Sequence, residues 1–178
     1  MRTPAKRLTL MPIAPIAEHT SFFEAGAVTI GVEYRLLTDE IVNQHMDTQN
    51  THIDLGPDID DRGVSLHVYT SDGNGASSER LRFDCFDEDP HYHYVDWDAG
   101  TNDIVQLDTV ASGDSLAWAL ECIRTRLTQM LGRAGVEDTA SVDSTALEGI
   151  LPRVTECAYR VRYHNDDGAT LQGALGSP

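Results

Sequence analysis

At 178 residues, 40% of them hydrophobic and 24% charged, the chain has the size and composition of one folded domain, which excludes wholesale disorder and a pair of ordinary domains. Thirteen Lys and Arg against 29 Asp and Glu give a net charge of -16, which repels phosphate backbones and anionic headgroups, so neither nucleic acid nor a membrane is an expected partner. No apolar run approaches the roughly 18–20 residues that span a bilayer, and three widely spaced cysteines (Cys85, Cys122, Cys157) make no disulfide framework, which fits a reducing cytoplasm.

Arg2, Lys6 and Arg7 stand before an apolar stretch from Leu8 to Ala17, but Pro12 and Pro15 interrupt it and no small-residue cleavage site follows. Residues 1–20 therefore read as an extended arm, residues 21–164 as a single domain and residues 165–178 as a flexible tail. Ile13, Ile16, Phe22 and Phe23 need cover from a sheet edge or a neighbouring molecule, so a homodimer to which the arm contributes is expected.

Val28, Ile30, Val32, Tyr34 and Leu36 alternate with Thr29, Gly31, Glu33 and Arg35, the period of a half-buried strand. From Thr38 to Arg62 the pattern fades into a long polar excursion with a short helical turn near Ile41 and a Gly56-Pro57 turn. Gly63–Thr70 and Arg80–Phe86 alternate again around Asn74-Gly75, the dipeptide of a type I′ hairpin. Counting outward from that turn puts Val68 opposite Leu81, Leu66 opposite Phe83 and Val64 opposite Cys85, so apolar residues meet throughout. A second hairpin follows over Asp87–Pro90; with Asp87 facing Pro90, Cys85 lies opposite Tyr92 and Phe83 opposite Tyr94. Residues 98–103 turn into a further strand from Ile104 to Val110.

The period then changes. Leu116, Leu120, Ile123, Leu127, Met130, Leu131 and Ala134 form one helical stripe, with Asp114 as N-cap and Gly135 placed to stop the helix. A second helical segment starts after Asp143, is broken or restarted at Pro152 and runs towards Arg162. The fold class is α+β: an antiparallel meander of about five strands, packed on one face by C-terminal helices in two layers.

The same registers define the opposite face of the sheet. Ser65 faces Asp84, His67 faces Arg82, Asp84 faces His93, and His91 lies opposite Phe86. Imidazoles two residues apart on a strand point the same way, so His91 and His93 with Asp84 make a two-His-one-carboxylate set for a divalent transition metal (iron, zinc or manganese). Ser65, His67 and Arg82 stand beside it as ligand-binding residues for a small molecule. The plain alternative is a solvated outer face with Asp84 paired across strands.

Other clusters carry less. Asp96, Asp98, Gly100, Asn102 and Asp103 suggest a calcium loop but lack its later Glu, so a polar turn is the expectation; Asp54, Asp58, Asp60 and Asp61 read as a solvated loop. Cys85 and Cys122 fall on buried faces. No P-loop, G-x-G-x-x-G, G-x-S-x-G or H-E-x-x-H occurs.

The run LRFDCFDEDPHYHY from Leu81 to Tyr94, with the helix ending RLTQMLGRAG, resembles an uncharacterised bacterial family known as a domain of unknown function, over roughly residues 28–135. That resemblance implies no activity. Arg82-x-Asp84 followed by His91-x-His93 is also similar to a motif of small bacterial toxins from toxin–antitoxin pairs, which implies an RNA or protein target; the charge of -16 disfavours RNA. Two functions follow from the residues: a small-molecule or divalent-metal-binding domain, catalytic or not, and a non-catalytic homo-oligomeric interaction protein.

Overall fold

The structure, a computed structural model, describes residues 6–56, 58–71 and 75–166. Its strands are β1 (Lys6–Leu8), β2 (Ser21–Ala25), β3 (Val28–Thr38), β4 (Asp60–Ser71), β5 (Ser77–Phe86), β6 (His91–Asp96) and β7 (Thr101–Gln106). All seven form one antiparallel sheet in the order β1-β7-β6-β5-β4-β3-β2. Helix α1 (Asp39–Thr48) lies between β3 and β4; α2 (Thr109–Ser112), α3 (Ser115–Arg133) and α4 (Ser144–Asp166) follow the meander.

The expected apolar face is the main core. Val64, Leu66, Phe83 and Tyr94 are buried against Leu116, Ile123, Leu127 and Leu131 of α3 and Leu147, Leu151 and Val154 of α4. Burial of this area is what holds helices to sheet, at roughly 1.5–3 kcal/mol for each large side chain. Asp114 caps α3 by accepting the Ala117 N–H at 2.8 Å, and its other oxygen accepts from Arg162 at 2.8 Å, tying α4 to the start of α3. Gly135, at φ 84°, takes the left-handed conformation just past the end of α3. Helix α4 runs without a break through Pro152, contrary to the interruption expected there. Its buried stripe from Leu147 to Ala158 spans the proline, and that packing outweighs the lost hydrogen bond.

The first hairpin has the expected pairs, Val64 with Cys85, Leu66 with Phe83 and Val68 with Leu81. Asn74 lies outside the described residues. The described pair nearest the turn, Ser71 with Ser77, is one residue off the register that a two-residue turn requires, and a bulge at Arg80 restores it.

The second hairpin differs from expectation by two residues: Phe83 faces Tyr92 and Leu81 faces Tyr94. The cause is Asp61, whose carboxylate accepts the N–H groups of Glu88 at 3.0 Å and Asp89 at 2.9 Å and turns the chain immediately after Phe86. A shift of two leaves every side chain on its original face. Likewise β7 ends at Gln106, not Val110, because the Asp108 carboxylate caps α2 through the N–H groups of Val110 and Ala111. Val110 is 96% exposed.

Two elements exceed the sequence reading. In place of the short helical turn expected near Ile41, the polar excursion contains the full ten-residue α1, which buries Val42 and Met46 one turn apart. The arm is a strap. Its β1 pairs with β7 at one edge, anchored by Arg7 on Asp103 at 2.7 and 2.9 Å, and β2 pairs with β3 at the other edge.

Between those strands the arm crosses the polar face. Asn102 on β7 donates to the Leu10 carbonyl, Gln49 at the end of α1 accepts the Met11 N–H, Arg35 on β3 donates to the Ile13 carbonyl, and Glu33 accepts the Ile16 N–H. Gly31 permits the final approach, since a Cβ there would stand 3.1 Å from the Thr20 methyl. Leu8, Leu10, Val42 and Met46 form a second small core over this face, with Ile13, Leu37, Ile59 and Ile104 against it. Residues 167–178 of the expected tail lie outside the described residues. No helix among the described residues is long and apolar enough to cross a membrane.

Candidate metal centre

Alternation along β4, β5 and β6 arranges the polar side chains in two cross-strand rows: Ser65, Asp84 and His91, then His67, Arg82 and His93. Asp84 thus faces His91, while His93 faces Arg82; the expected pairs Asp84–His93 and Phe86–His91 are corrected by the two-residue shift. The face is not solvated. Ser65, His67, Arg82, Asp84 and His93 are buried beneath the arm and α1, and His91 is partly buried.

Asp84 is the centre of the first row. One oxygen accepts the Ser65 hydroxyl; the other, Oδ2, stands 3.1 Å from His93 Nε2 and 3.5 Å from His91 Nε2. Each imidazole is oriented from behind. His91 Nδ1 lies 2.7 Å from the Asp89 carbonyl, which only accepts, so Nδ1 carries the proton. Asn102 spends its NH2 on the Leu10 carbonyl at 3.1 Å, which turns its oxygen to His93 Nδ1 at 2.8 Å and fixes the same tautomer. Both Nε2 atoms therefore point at a carboxylate oxygen, and all three ligand atoms lie within 4.8 Å of one another.

Burial alone would raise the Asp84 carboxyl. Contact with His93 and the charge of Arg82, to which His93 and His91 add whenever their Nε2 atoms carry a proton, outweigh burial and hold it well below the usual carboxylate range. Burial pushes His93 the other way, below its ordinary value, although Asp84 opposes the shift. The group thus pairs an ionised carboxylate with a His93 imidazole disposed to be neutral, the states a metal ion needs.

The second row is a separate, tightly paired network. His67 sits between two carboxylates, Nδ1 at 2.7 Å from Glu79 and Nε2 at 3.2 Å from Glu33, the geometry of a doubly protonated ring. Arg82 is held by Glu79 through two bonds of 2.8 and 2.7 Å. Burial opposes ionisation of Glu79, but Arg82 and His67 overcome it and hold that carboxyl at about 2. His67 and Arg82 are therefore directed to Glu33 and Glu79, while Ser65 alone of the three expected ligand-binding residues touches Asp84.

Sequence reasoning missed Glu33, Arg35, Glu79 and Asn102. Glu33 and Arg35 occupy the polar positions of the alternating β3 strand, but no turn fixed the register between β3 and β4 because α1 intervenes. Asn102 belonged to the acidic turn considered for calcium. That turn does not converge: Asp96 accepts the N–H groups of Asp98 and Ala99, Asp103 holds Arg7, and Asn102 serves His93. Cys85, Cys122 and Cys157 are free and buried, and burial pushes the Cys85 thiol up, away from nucleophilic use.

The Asp84, His91 and His93 group opens on a cavity of about 720 Å³ between the sheet, the arm and α1. Its floor includes Asp84, His91, His93, Arg35 and Arg82, and its walls include Leu10, Ile13 and Ile104. Its lining also includes the carboxylates Asp58, Asp60, Asp61, Glu88 and Asp89, and convergent polar groups beside apolar walls are the usual make-up of a ligand site. Comparison with curated proteins and with solved structures finds no match. A family model, Domain of unknown function (DUF7700), matches residues 22–158, which contain the whole Asp84, His91 and His93 group, and the chain belongs to that family.

Proposed function

We propose that Asp84, His91 and His93 bind a divalent transition metal and that the cavity above them admits a small molecule to it. The observation that carries this reading is the pair of committed Nδ1 protons. With those protons directed to Asp89 and Asn102, two Nε2 atoms and Asp84 Oδ2 face one another and repel unless a proton or a metal cation lies among them, and a metal satisfies all three at once. Ligand atoms about 2.1 Å from one ion, at right to tetrahedral angles, are roughly 3.0–3.4 Å apart. The carboxylate–imidazole separations of 3.1 and 3.5 Å match that span, and the two Nε2 atoms, within 4.8 Å of each other, close to it on binding.

Two nitrogens and one oxygen suit iron, zinc or manganese, and three protein ligands leave positions open for water or a substrate. The acidic rim at Asp58, Asp60, Glu88 and Asp89 raises the local concentration of such cations. Untagged protein expressed with iron, zinc and manganese supplied is expected to keep about one equivalent of metal after buffer exchange, and the His91→Ala, His93→Ala double variant almost none. Less than about one-tenth equivalent in the wild type overturns the reading. Both side chains point away from the main core, so the double variant is expected to fold.

Self-association is a second, compatible reading, favoured by Ile16 and Phe22, which are 50% and 49% exposed beside the edge strand β2. A homodimer formed at that edge is expected in light scattering, and a monomer at micromolar concentration refutes it. The three buried free cysteines support a reducing compartment such as the cytoplasm.

A further inference from the structure

Arg35 differs from every other charged side chain on the covered face. It is 9% exposed and lines the cavity, yet its contacts are loose: 3.3 Å to the Ile13 carbonyl and 3.7 Å to Glu33. Arg82, in contrast, is clamped by two short bonds to Glu79. A guanidinium offers five N–H donors in a planar fork, and among the described residues the Ile13 carbonyl is the one hydrogen-bond acceptor that Arg35 finds. Burying such a cation is costly unless an anion meets it.

The charge balance points the same way. Arg35, Arg82 and a doubly protonated His67 stand against the buried carboxylates Glu33, Asp61, Glu79 and Asp84, so a divalent ion on Asp84, His91 and His93 leaves one net positive charge in a buried site. Water alone does not neutralise it; an anionic ligand does. The acidic rim is exposed and screened, so it acts on entry, whereas the floor acts on what stays bound.

We infer that the cavity takes a small organic carboxylate, gripped by the Arg35 guanidinium beside the metal centre, with its apolar body against Leu10, Ile13 and Ile104. The planar fork matches a carboxylate through two parallel hydrogen bonds, and the apolar walls favour a carbon skeleton over a hydrated inorganic anion. This inference rests on the metal reading and deepens it.

The test uses full-length protein, cobalt(II) as the metal, and two probes of nearly equal shape, 4-phenylbutanoate and its neutral amide. Calorimetry with cobalt(II) alone comes first. The expected result is cobalt binding by the wild type and by Arg35→Gln alike, since Arg35 is not a ligand. The cobalt-loaded wild type is expected to bind the carboxylate at least about tenfold more tightly than the amide, and Arg35→Gln to lose that preference. Cobalt binding without any preference for the carboxylate in the wild type overturns the inference and leaves the metal reading intact, with no variant needed. A preference that persists undiminished in Arg35→Gln also overturns it. Failure of cobalt to bind removes the metal reading and this inference with it.

Discussion

Asn102 accepts the Nδ1 proton of His93 at 2.8 Å, so a residue on the neighbouring strand decides which ring nitrogen His93 presents to Asp84. Its own NH2 is held by the Leu10 carbonyl, which means that the arm sets the orientation of the amide, and the amide sets the tautomer of the imidazole.

Replacing Asn102 with Ala is therefore expected to weaken metal binding by about 10- to 100-fold, although Asn102 is not itself a ligand. Competition titration against a chromophoric chelator measures the effect. An unchanged affinity would show that His93 is oriented by its strand alone.

The Glu79 carboxylate is expected to make stability pH-dependent. It titrates at about 2 in the folded chain against an ordinary value of 4.5, so its contribution is fully present above about pH 4.5 and is lost as pH falls towards 2. Glu79→Gln leaves Arg82 buried with half its partner and is expected to cost about 3–5 kcal/mol at pH 7. In urea unfolding followed from pH 7 to about pH 2.5, the gap between wild type and variant should narrow with acid. A gap that stays constant across that range would mean that Glu79 acts through packing and not through its charge.

Gly31→Ala is expected to loosen the strap. The added Cβ would meet the Thr20 methyl at 3.1 Å, the Phe22 ring at 3.3 Å and His67 Cβ at 3.4 Å. Relief requires the arm to lift, at about 1–3 kcal/mol. Hydrogen exchange should then rise at residues 9–20 while β4 and β5 stay protected; uniform protection would show that the crossing has slack.

What the sequence made legible was the part governed by local periodicity. Leu66 against Phe83, the stripe from Leu116 to Leu131 and the shared face of Asp84, His91 and His93 all follow from alternation and helical spacing. The shift between β5 and β6 was illegible because Asp61, more than 25 residues before the turn, supplies the acceptor that tightens it. The burial of His67 and Arg82 was illegible for a similar reason. Nothing near Ser65 or Asp84 in the chain announces that Leu10 and Val42 will cover them, and polar residues in alternation read as an outer face until that cover is known.

The strap also orders events in time. Arg7 meets Asp103 across 96 residues, so β1 can dock only after β7 has joined the sheet, and loop closure over that span makes this among the last contacts to form. During synthesis and refolding, the carboxylate and both imidazoles thus stand open to solvent before the lid of Leu10–Ile13 descends. Loading is expected to be fast in that interval and slow afterwards, so metal supplied during refolding should be captured in seconds where the mature protein exchanges it far more slowly.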